Sequence, residues 1–289
     1  MPPMLRLLRP QQYTKNLLVF AAPGAAGSLD QPGVAAKTLL AFALFSAVSS
    51  VGYIVNDIMD LEADRAHPTK QHRPLASGEV STKSAINLLT LIGIPALLLG
   101  IALGWRFAAA LVGYATISLT YSSFFKRIPW IELLAVSAGF VVRAVAGGAA
   151  TATPISTAFL VVVSAGALLI ITGKRLGELL AMGQRSPSRE VLARYQRRHL
   201  QVLAALAAAL AVGGYGTWAA AEASNQVPDS QSSTLLRVTV VPFAVAIVRY
   251  LTLSWRGAGE TPESLIVRDP VMLAAGATWA ILYSIGLYL

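Results

Sequence analysis

The chain has 289 residues, of which 55% are hydrophobic and only 13% charged, with a mean hydropathy of +0.60. A soluble globular protein carries about 25% charged residues, so this composition excludes a soluble domain and points to a polytopic helical membrane protein. The absence of cysteine excludes disulfides and thiolate metal sites. The net charge of +9 raises nucleic acid as a partner, which the placement of the basic residues argues against.

The N-terminal segment Met1 to Asn16 carries Pro2, Pro3 and Pro10 and does not resemble a cleaved signal peptide. Nine apolar blocks follow, each of a length suited to crossing a bilayer as a helix: Tyr13–Ser28, Val34–Val55, Ser84–Gly104, Phe107–Tyr121, Ile131–Ala149, Ile155–Gly173, Leu200–Ala221, Leu235–Leu253 and Pro270–Leu289. The first is the least regular, since it contains Lys15, Asn16 and Pro23. Small residues recur in the fifth and seventh blocks, among them Gly147, Gly148, Gly213 and Gly214, and suit close helix packing. The long polar connections are Asn56–Lys83 and Lys174–His199, the second with a helix start at Ser186–Glu190, and Glu222–Thr234 reads as a polar loop. The expectation is an all-α chain with nine transmembrane helices and a single domain over residues 1–289.

Lys and Arg concentrate on one side of this arrangement. Arg6, Arg9 and Lys15 lie at the first span; Arg65, Lys70, Arg73 and Lys83 follow the second; Lys126 and Arg127 follow the fourth. Lys174, Arg175, Arg185, Arg189, Arg194, Arg197 and Arg198 follow the sixth, and Arg256 and Arg268 the eighth. The opposite connections hold Arg106, with Lys37 and Arg237 just inside span ends. Such asymmetry marks the cytoplasmic side, so the charge is mainly a topology signal, with the N-terminus inside and no nucleic acid required.

The chemistry concentrates at the end of the second block. Residues 57–64 hold four carboxylates in eight positions, and Asp57, Asp60 and Asp64 share one face of a helix. Like charges so crowded call for a cation between them, and hard divalent ions prefer carboxylate oxygen, with Asn56 as a neutral donor. Lys70 and Arg73 follow in a proline-bounded loop suited to phosphate. Magnesium and a diphosphate at a membrane surface is the natural reading. His67 and His72 suit loop hydrogen bonding, and Glu62 points elsewhere to solvent. Tyr121, Lys126 and Glu132 occupy the next inner loop, facing the aspartates across a central cavity; Lys126 suits a phosphate, and Glu132 either a metal or Lys126. Arg143 lies well inside the fifth block, where a cation requires a polar cavity or an ion partner. Lys174, Arg175 and Glu178 emerge from the sixth block, with Lys174 and Glu178 spaced to pair or to line the cavity mouth. Lys15, Asn16 and Arg249 point to the same face, and Asp269 is a helix cap or a supporting carboxylate.

The pattern Asn-Asp-x-x-Asp-x-x-x-Asp at 56–64, with Tyr121 and Lys126 in the next inner loop, resembles the UbiA superfamily of intramembrane prenyltransferases. Further pieces resemble its branch of decaprenyl-phosphate phosphoribosyltransferases: Arg9–Asn16, Glu62–Lys70, Tyr121-Ser122 with Lys126, Arg143–Gly148, and Gly173-Lys174-Arg175 with Glu178. The resemblance implies transfer of 5-phosphoribose from 5-phosphoribosyl 1-diphosphate to a polyprenyl phosphate, releasing diphosphate and forming a precursor of cell-wall arabinose donors. It implies magnesium as cofactor, a cavity open to the cytoplasm and a multi-pass place in the inner (plasma) membrane, and it leaves a homo-oligomer open. By position, Asp57, Asp60 and Asp64 would hold magnesium–diphosphate, with Lys126 and Arg143 also catalytic. Lys15, Lys70, Arg73, Lys126, Arg143 and Lys174 would meet phosphates, and Asn16, Asn56, Tyr121, Glu132, Arg175 and Glu178 complete the substrate-binding set. The second acidic motif of many superfamily members is reduced here to Glu132, which weakens a prenyl diphosphate donor. The alternative is a UbiA-type prenyltransferase moving an isoprenoid onto an aromatic or lipid acceptor. A transporter would place its ionisable residues near the bilayer midplane in two similar halves, a pattern this chain lacks.

Overall fold

The structure, a computed structural model, describes residues 1–181, 192–225 and 230–288. The described residues are helical, with no strand among them. The helices are α1 (Pro3–Leu8), α2 (Ala21–Ala25), α3 (Pro32–Met59), α4 (Leu61–Arg65), α5 (Thr82–Leu103), α6 (Trp105–Ser123), α7 (Ile131–Thr151), α8 (Thr157–Ala181), α9 (Arg197–Asn225), α10 (Gln231–Val238), α11 (Val240–Trp255), α12 (Pro262–Arg268) and α13 (Pro270–Tyr288). Among the described residues, seven helices are long and apolar enough to cross a membrane: Pro32–Met59, Thr82–Leu103, Ile131–Thr151, Thr157–Ala181, Arg197–Asn225, Gln231–Trp255 and Pro270–Leu287. These match seven of the nine expected spans.

The other two differ for identifiable reasons. The fourth expected span is a 19-residue helix, α6, diluted by Arg106, Tyr114, Thr116, Ser118 and Thr120. The first is not one long α-helix. Pro10–Phe20 forms a 3-10 helix of 11 residues, followed by the short α2. Such a length is uncommon for a 3-10 helix and needs tertiary support. Within the stretch Glu222–Thr234 expected as a polar loop, α9 runs through Asn225 and α10 begins at Gln231, capped by Ser230, whose Oγ accepts from Ser233 N at 3.1 Å. The helix start expected at 186–190, with Arg185 and Arg189, lies outside the described residues.

The chain forms two compact units, Met1–Phe125 with Val142–Pro154, and Lys126–Val141 with Ile155–Leu289. In the first, α3 packs on α5 and α6 around Phe45, Phe107, Leu111 and Tyr114, joined by Val19, Ala146 and Ala150. A second cluster, Leu7, Ile54, Leu75, Val80 and Ala85, ties α1 and the loop after α4 to the end of α3. In the second unit, α8 packs along α9, and glycines permit the closest approaches. A Cβ on Gly259 would lie 2.3 Å from the Gly173 carbonyl oxygen, so the turn Ala258–Glu260 rests directly on α8. Asp269 caps α13, accepting from Met272 N at 3.0 Å, and receives two nitrogens of Arg249 at 2.8 and 3.2 Å.

Candidate active site

The acidic cluster is set by a break in α3. The helix ends at Met59, and Asp60 leaves helical geometry (φ −93°, ψ 8°) before α4 begins. Asp57 and Asp64 are nevertheless both buried, at 2% exposure, while Asp60 is half-buried at the break. The two buried carboxylates converge on one atom: Arg73 Nη1 lies 3.0 Å from Asp57 Oδ1 and 2.6 Å from Asp64 Oδ2. Lys70 Nζ stands 4.0 Å from Asp64, and Arg9 Nη2 donates to the same Asp57 oxygen. Pro74 forces Arg73 out of helical backbone (ψ 146°), which ends the 3-10 turn Lys70–His72 and aims the guanidinium back at α3. Leu75 and Val80 anchor that loop in the core. His67 Nδ1 accepts from Thr69 N and Lys70 N at 3.3 and 3.4 Å, the loop role expected of it. Glu62 is exposed and pairs with Arg65.

Along α3 above this cluster runs a polar row: Ser46, Ser49, Ser50, Tyr53 and Asp57. The N-terminal segment satisfies it from end to end. Arg9 reaches Asp57 and lies 4.9 Å over the Tyr53 ring; Tyr13 Oη is 2.9 Å from Ser50 Oγ; Asn16 Nδ2 donates to Ser46 Oγ at 3.1 Å. The two segments run antiparallel in matched register. The eleven steps of α-helix from Ser46 to Asp57 rise about 16 Å, and the seven steps from Arg9 to Asn16 cover about 14 Å at a 3-10 rise but only about 10 Å at an α-helical one. The 3-10 period of three also places Tyr13, Asn16 and Val19 in one row. The unusual helix is therefore what lets the strap span the polar stripe.

The same row meets α7. Arg143, 6% exposed, donates from Nε to Asn16 Oδ1 and from Nη2 to Tyr114 Oη, both at 2.8 Å, and lies 4.4 Å over the Tyr114 ring. One turn later, a Cβ on Gly147 would sit 1.8 Å from the Val19 carbonyl oxygen. Only glycine allows the strap this close, which is the specific reason for the small residue at 147.

The remaining expected residues divide by unit. Lys15 donates to Gln12 Oε1 at 2.7 Å, and Asn56 and Tyr121 are half-buried in the first unit. In the second unit Glu132, 2% exposed, is engaged by Arg175 (Nη2 to Oε2, 2.7 Å) and by Tyr195, which donates to Oε1 at 3.1 Å. Trp130 N donates to the Tyr195 hydroxyl at 3.0 Å, and burial pushes that phenol above its ordinary range. Glu178 pairs with Arg175 rather than with Lys174. Glu132, Arg175 and Glu178 thus form a packed polar network joining the start of α7 to the end of α8; substrate or metal contact by these three stays the expectation from sequence. For Lys126 and Lys174, also in this unit, phosphate contact stays the expectation from sequence.

Among the described residues no three His, Cys, Asp or Glu side chains stand together as a ready metal site, so Asp57, Asp60 and Asp64 are not a preformed triad. The donor chemistry still fits magnesium. A single point within 3.0 Å of two carboxylates exists, now filled by a guanidinium nitrogen, and magnesium typically takes one or two carboxylates with substrate phosphates. Two buried carboxylates ringed by Arg9, Lys70 and Arg73 can hold a metal-bound polyanion. Arg9, Tyr53 and Tyr114 were not among the site residues expected from sequence, although Arg9 opens the motif Arg9–Asn16. The signal was there: polar residues at 46, 49, 50, 53 and 57 in an apolar helix form a stripe that some partner must satisfy.

The UbiA prenyltransferase family model matches residues 17–263. A decaprenyl-phosphate phosphoribosyltransferase of Mycolicibacterium smegmatis is 37% identical over 96% of this chain and 89% of its own length. One of Corynebacterium glutamicum is 32% identical over 99% of this chain and 87% of its own. Among solved structures, a UbiA homologue from Archaeoglobus fulgidus bound to DMAPP and Mg2+ superposes with a TM-score of 0.69, covering 99% of each chain at 17% identity.

Proposed function

The chain belongs to the UbiA prenyltransferase family, and from that premise we propose that it transfers 5-phosphoribose from 5-phosphoribosyl 1-diphosphate to a polyprenyl phosphate, releasing diphosphate. The acceptor class follows the near-full-length relatives, whose name gives decaprenyl phosphate. The observation that carries the site is the convergence of Asp57 and Asp64 on one cationic atom, with Arg9 and Lys70 beside it.

In this reaction the anomeric carbon–oxygen bond to diphosphate breaks, and its electron pair leaves with the diphosphate. An oxygen of the acceptor phosphate forms the new bond to the anomeric carbon. That oxygen already carries negative charge, so no strong general base is needed. The demand on the protein is to hold anions together and to stabilise the charge building on the leaving group. Asp57 and Asp64, with Asp60 and Asn56 beside them, would hold magnesium, which when bound would supply charge neutralisation for the diphosphate. Arg73 and Lys70 bind its free oxygens, Arg73 with a planar fork and Lys70 as a point charge. Arg143, fixed by Asn16 and Tyr114, offers a buried positive charge to a second phosphate. Placing the donor in the cytoplasm, the lipid tail in the inner membrane and the product in the supply of cell-wall arabinose belongs to the same proposal, as does a single transferase domain spanning the chain.

The test is a donor screen with purified protein, magnesium and a polyprenyl phosphate. Labelled 5-phosphoribosyl 1-diphosphate should pass its label to lipid in wild type and not in Asp57→Asn. Label passing instead from a prenyl diphosphate would replace this reading with isoprenoid transfer, which uses the same leaving group.

A further inference from the structure

Arg9 has no part in the expected ligand set, yet it occupies an unusual position. Its backbone is left-handed (φ 53°, ψ 57°), a region rarely adopted by side chains other than Gly, Asn or Asp. It joins α1 to the 3-10 strap at that point, with Gln12 N bonding to its carbonyl at 2.9 Å. The guanidinium passes over Tyr53 and ends on Asp57 Oδ1, the atom that Arg73 also touches at 3.0 Å. Two like charges therefore meet on one carboxylate oxygen. At hydrogen-bond distance the two negative charges of Asp57 and Asp64 meet two positive ones, Arg9 and Arg73, with Lys70 Nζ farther off at 4.0 Å from Asp64. A divalent cation would provide the same two charges at the same oxygens. Once it does, both guanidinia are left beside the cation facing whatever anion it holds.

We propose that Arg9 is a diphosphate ligand stored on Asp57: it neutralises the carboxylate when no metal is bound and passes to the diphosphate when the metal takes its place. This rests on the reading of the site given above and adds a residue to it. Because Arg9 is part of the strap, the exchange also ties the strap's position to donor binding. Arg9 then competes with the cation alone and cooperates with it once diphosphate is present.

Those two effects have opposite signs, and a residue that merely supports the fold cannot produce both. The experiment uses the full chain in detergent, with Mn2+ binding followed by electron paramagnetic resonance and inorganic pyrophosphate binding by calorimetry at saturating Mn2+. Arg9→Gln should bind Mn2+ alone about fivefold or more tightly, and pyrophosphate about fivefold or more weakly, a typical coupling between sites. Arg9→Lys keeps the competing charge but not the fork, so Mn2+ affinity should stay at the wild-type value while pyrophosphate weakens. Arg6→Ala removes the ion pair of α1 with Glu79 and loosens the strap without touching the carboxylates; it should leave Mn2+ affinity unchanged. The proposal is overturned if Arg9→Gln moves both affinities in one direction or neither, or if Arg6→Ala reproduces its opposite shifts. Should Arg9→Gln not purify, tighter Mn2+ binding or unweakened pyrophosphate binding in Arg9→Lys would overturn it equally. Wild type binding neither probe would overturn the reading of the site itself, and this inference with it.

Discussion

Gly147→Ala tests whether the strap's close seat on α7 organises the site. The added Cβ would lie 1.8 Å from the Val19 carbonyl oxygen, where contacts under 3.0 Å are essentially never seen. The strap or α7 must yield by about 1.2 Å or more, and overpacking of this kind costs about 1–3 kcal/mol. Asn16 is one 3-10 turn before Val19 and moves with it. Its 2.8 Å bond from Arg143 Nε would open to about 4 Å, beyond hydrogen-bond reach. A lost hydrogen bond to a charged group adds about 1.5–3 kcal/mol. The sum is about 2.5–6 kcal/mol before relaxation, and misplacement of a catalytic group by about 1 Å can lower turnover about 100-fold. Thermal unfolding in detergent and phosphoribosyl transfer to lipid would be measured beside Gly113→Ala. That second glycine sits in α6 with nothing within 4 Å of a Cβ, so its substitution should change stability by no more than about 1 kcal/mol. Wild-type stability and turnover in Gly147→Ala would refute the reasoning.

Asp57→Asn should lower magnesium-dependent turnover by about 100-fold or more while the chain still purifies as a folded protein, since it removes one of two converging carboxylates; a variant with full turnover would contradict the site. Glu132→Gln should destabilise by about 1–3 kcal/mol in thermal unfolding, because Arg175 loses a buried partner and keeps Glu178, and Glu132→Gln with Arg175→Met should recover part of the loss. A double variant no more stable than the single one would show that the pair is not a unit. The Asp269 carboxyl is held below the usual carboxylate range, chiefly by hydrogen bonds from Arg249. Its stabilising effect is therefore full above the ordinary carboxylate pKa, about 3.9, and is lost as pH falls through the lower folded value. Asp269→Asn should flatten the fall of Tm below about pH 4, and an unchanged acid limb would argue against the pairing.

Much of the fold was legible because bilayer length and apolar composition speak directly: seven expected spans reappear as apolar helices. Composition failed at the first span because Pro10–Phe20 is shaped by the polar stripe of α3, a partner no local window contains. The acidic cluster was legible from its spacing, and Asp57 and Asp64 do converge across the helix break. What spacing could not supply was their counter-charges. Arg73 was within reach of the reading because it lies close in sequence, whereas Arg9 is brought to Asp57 by tertiary packing. Arg143 was singled out as a cation deep in an apolar helix, but its partners, Asn16 and Tyr114, lie far off in sequence. Glu132 shows the converse. Its neighbourhood in the loop suggested Lys126 or a metal, and the fold hands it to Arg175 and Tyr195.

The most direct test of phosphoribosyl transfer is competition between donors. Purified protein would receive magnesium, a polyprenyl phosphate, and equal amounts of 5-phosphoribosyl 1-diphosphate and a prenyl diphosphate, with lipid products resolved by mass spectrometry. A polyprenyl lipid heavier by one phosphoribosyl group, formed together with free diphosphate, is the predicted result. A lipid extended by an isoprenoid, with the phosphoribosyl donor left intact, would contradict it.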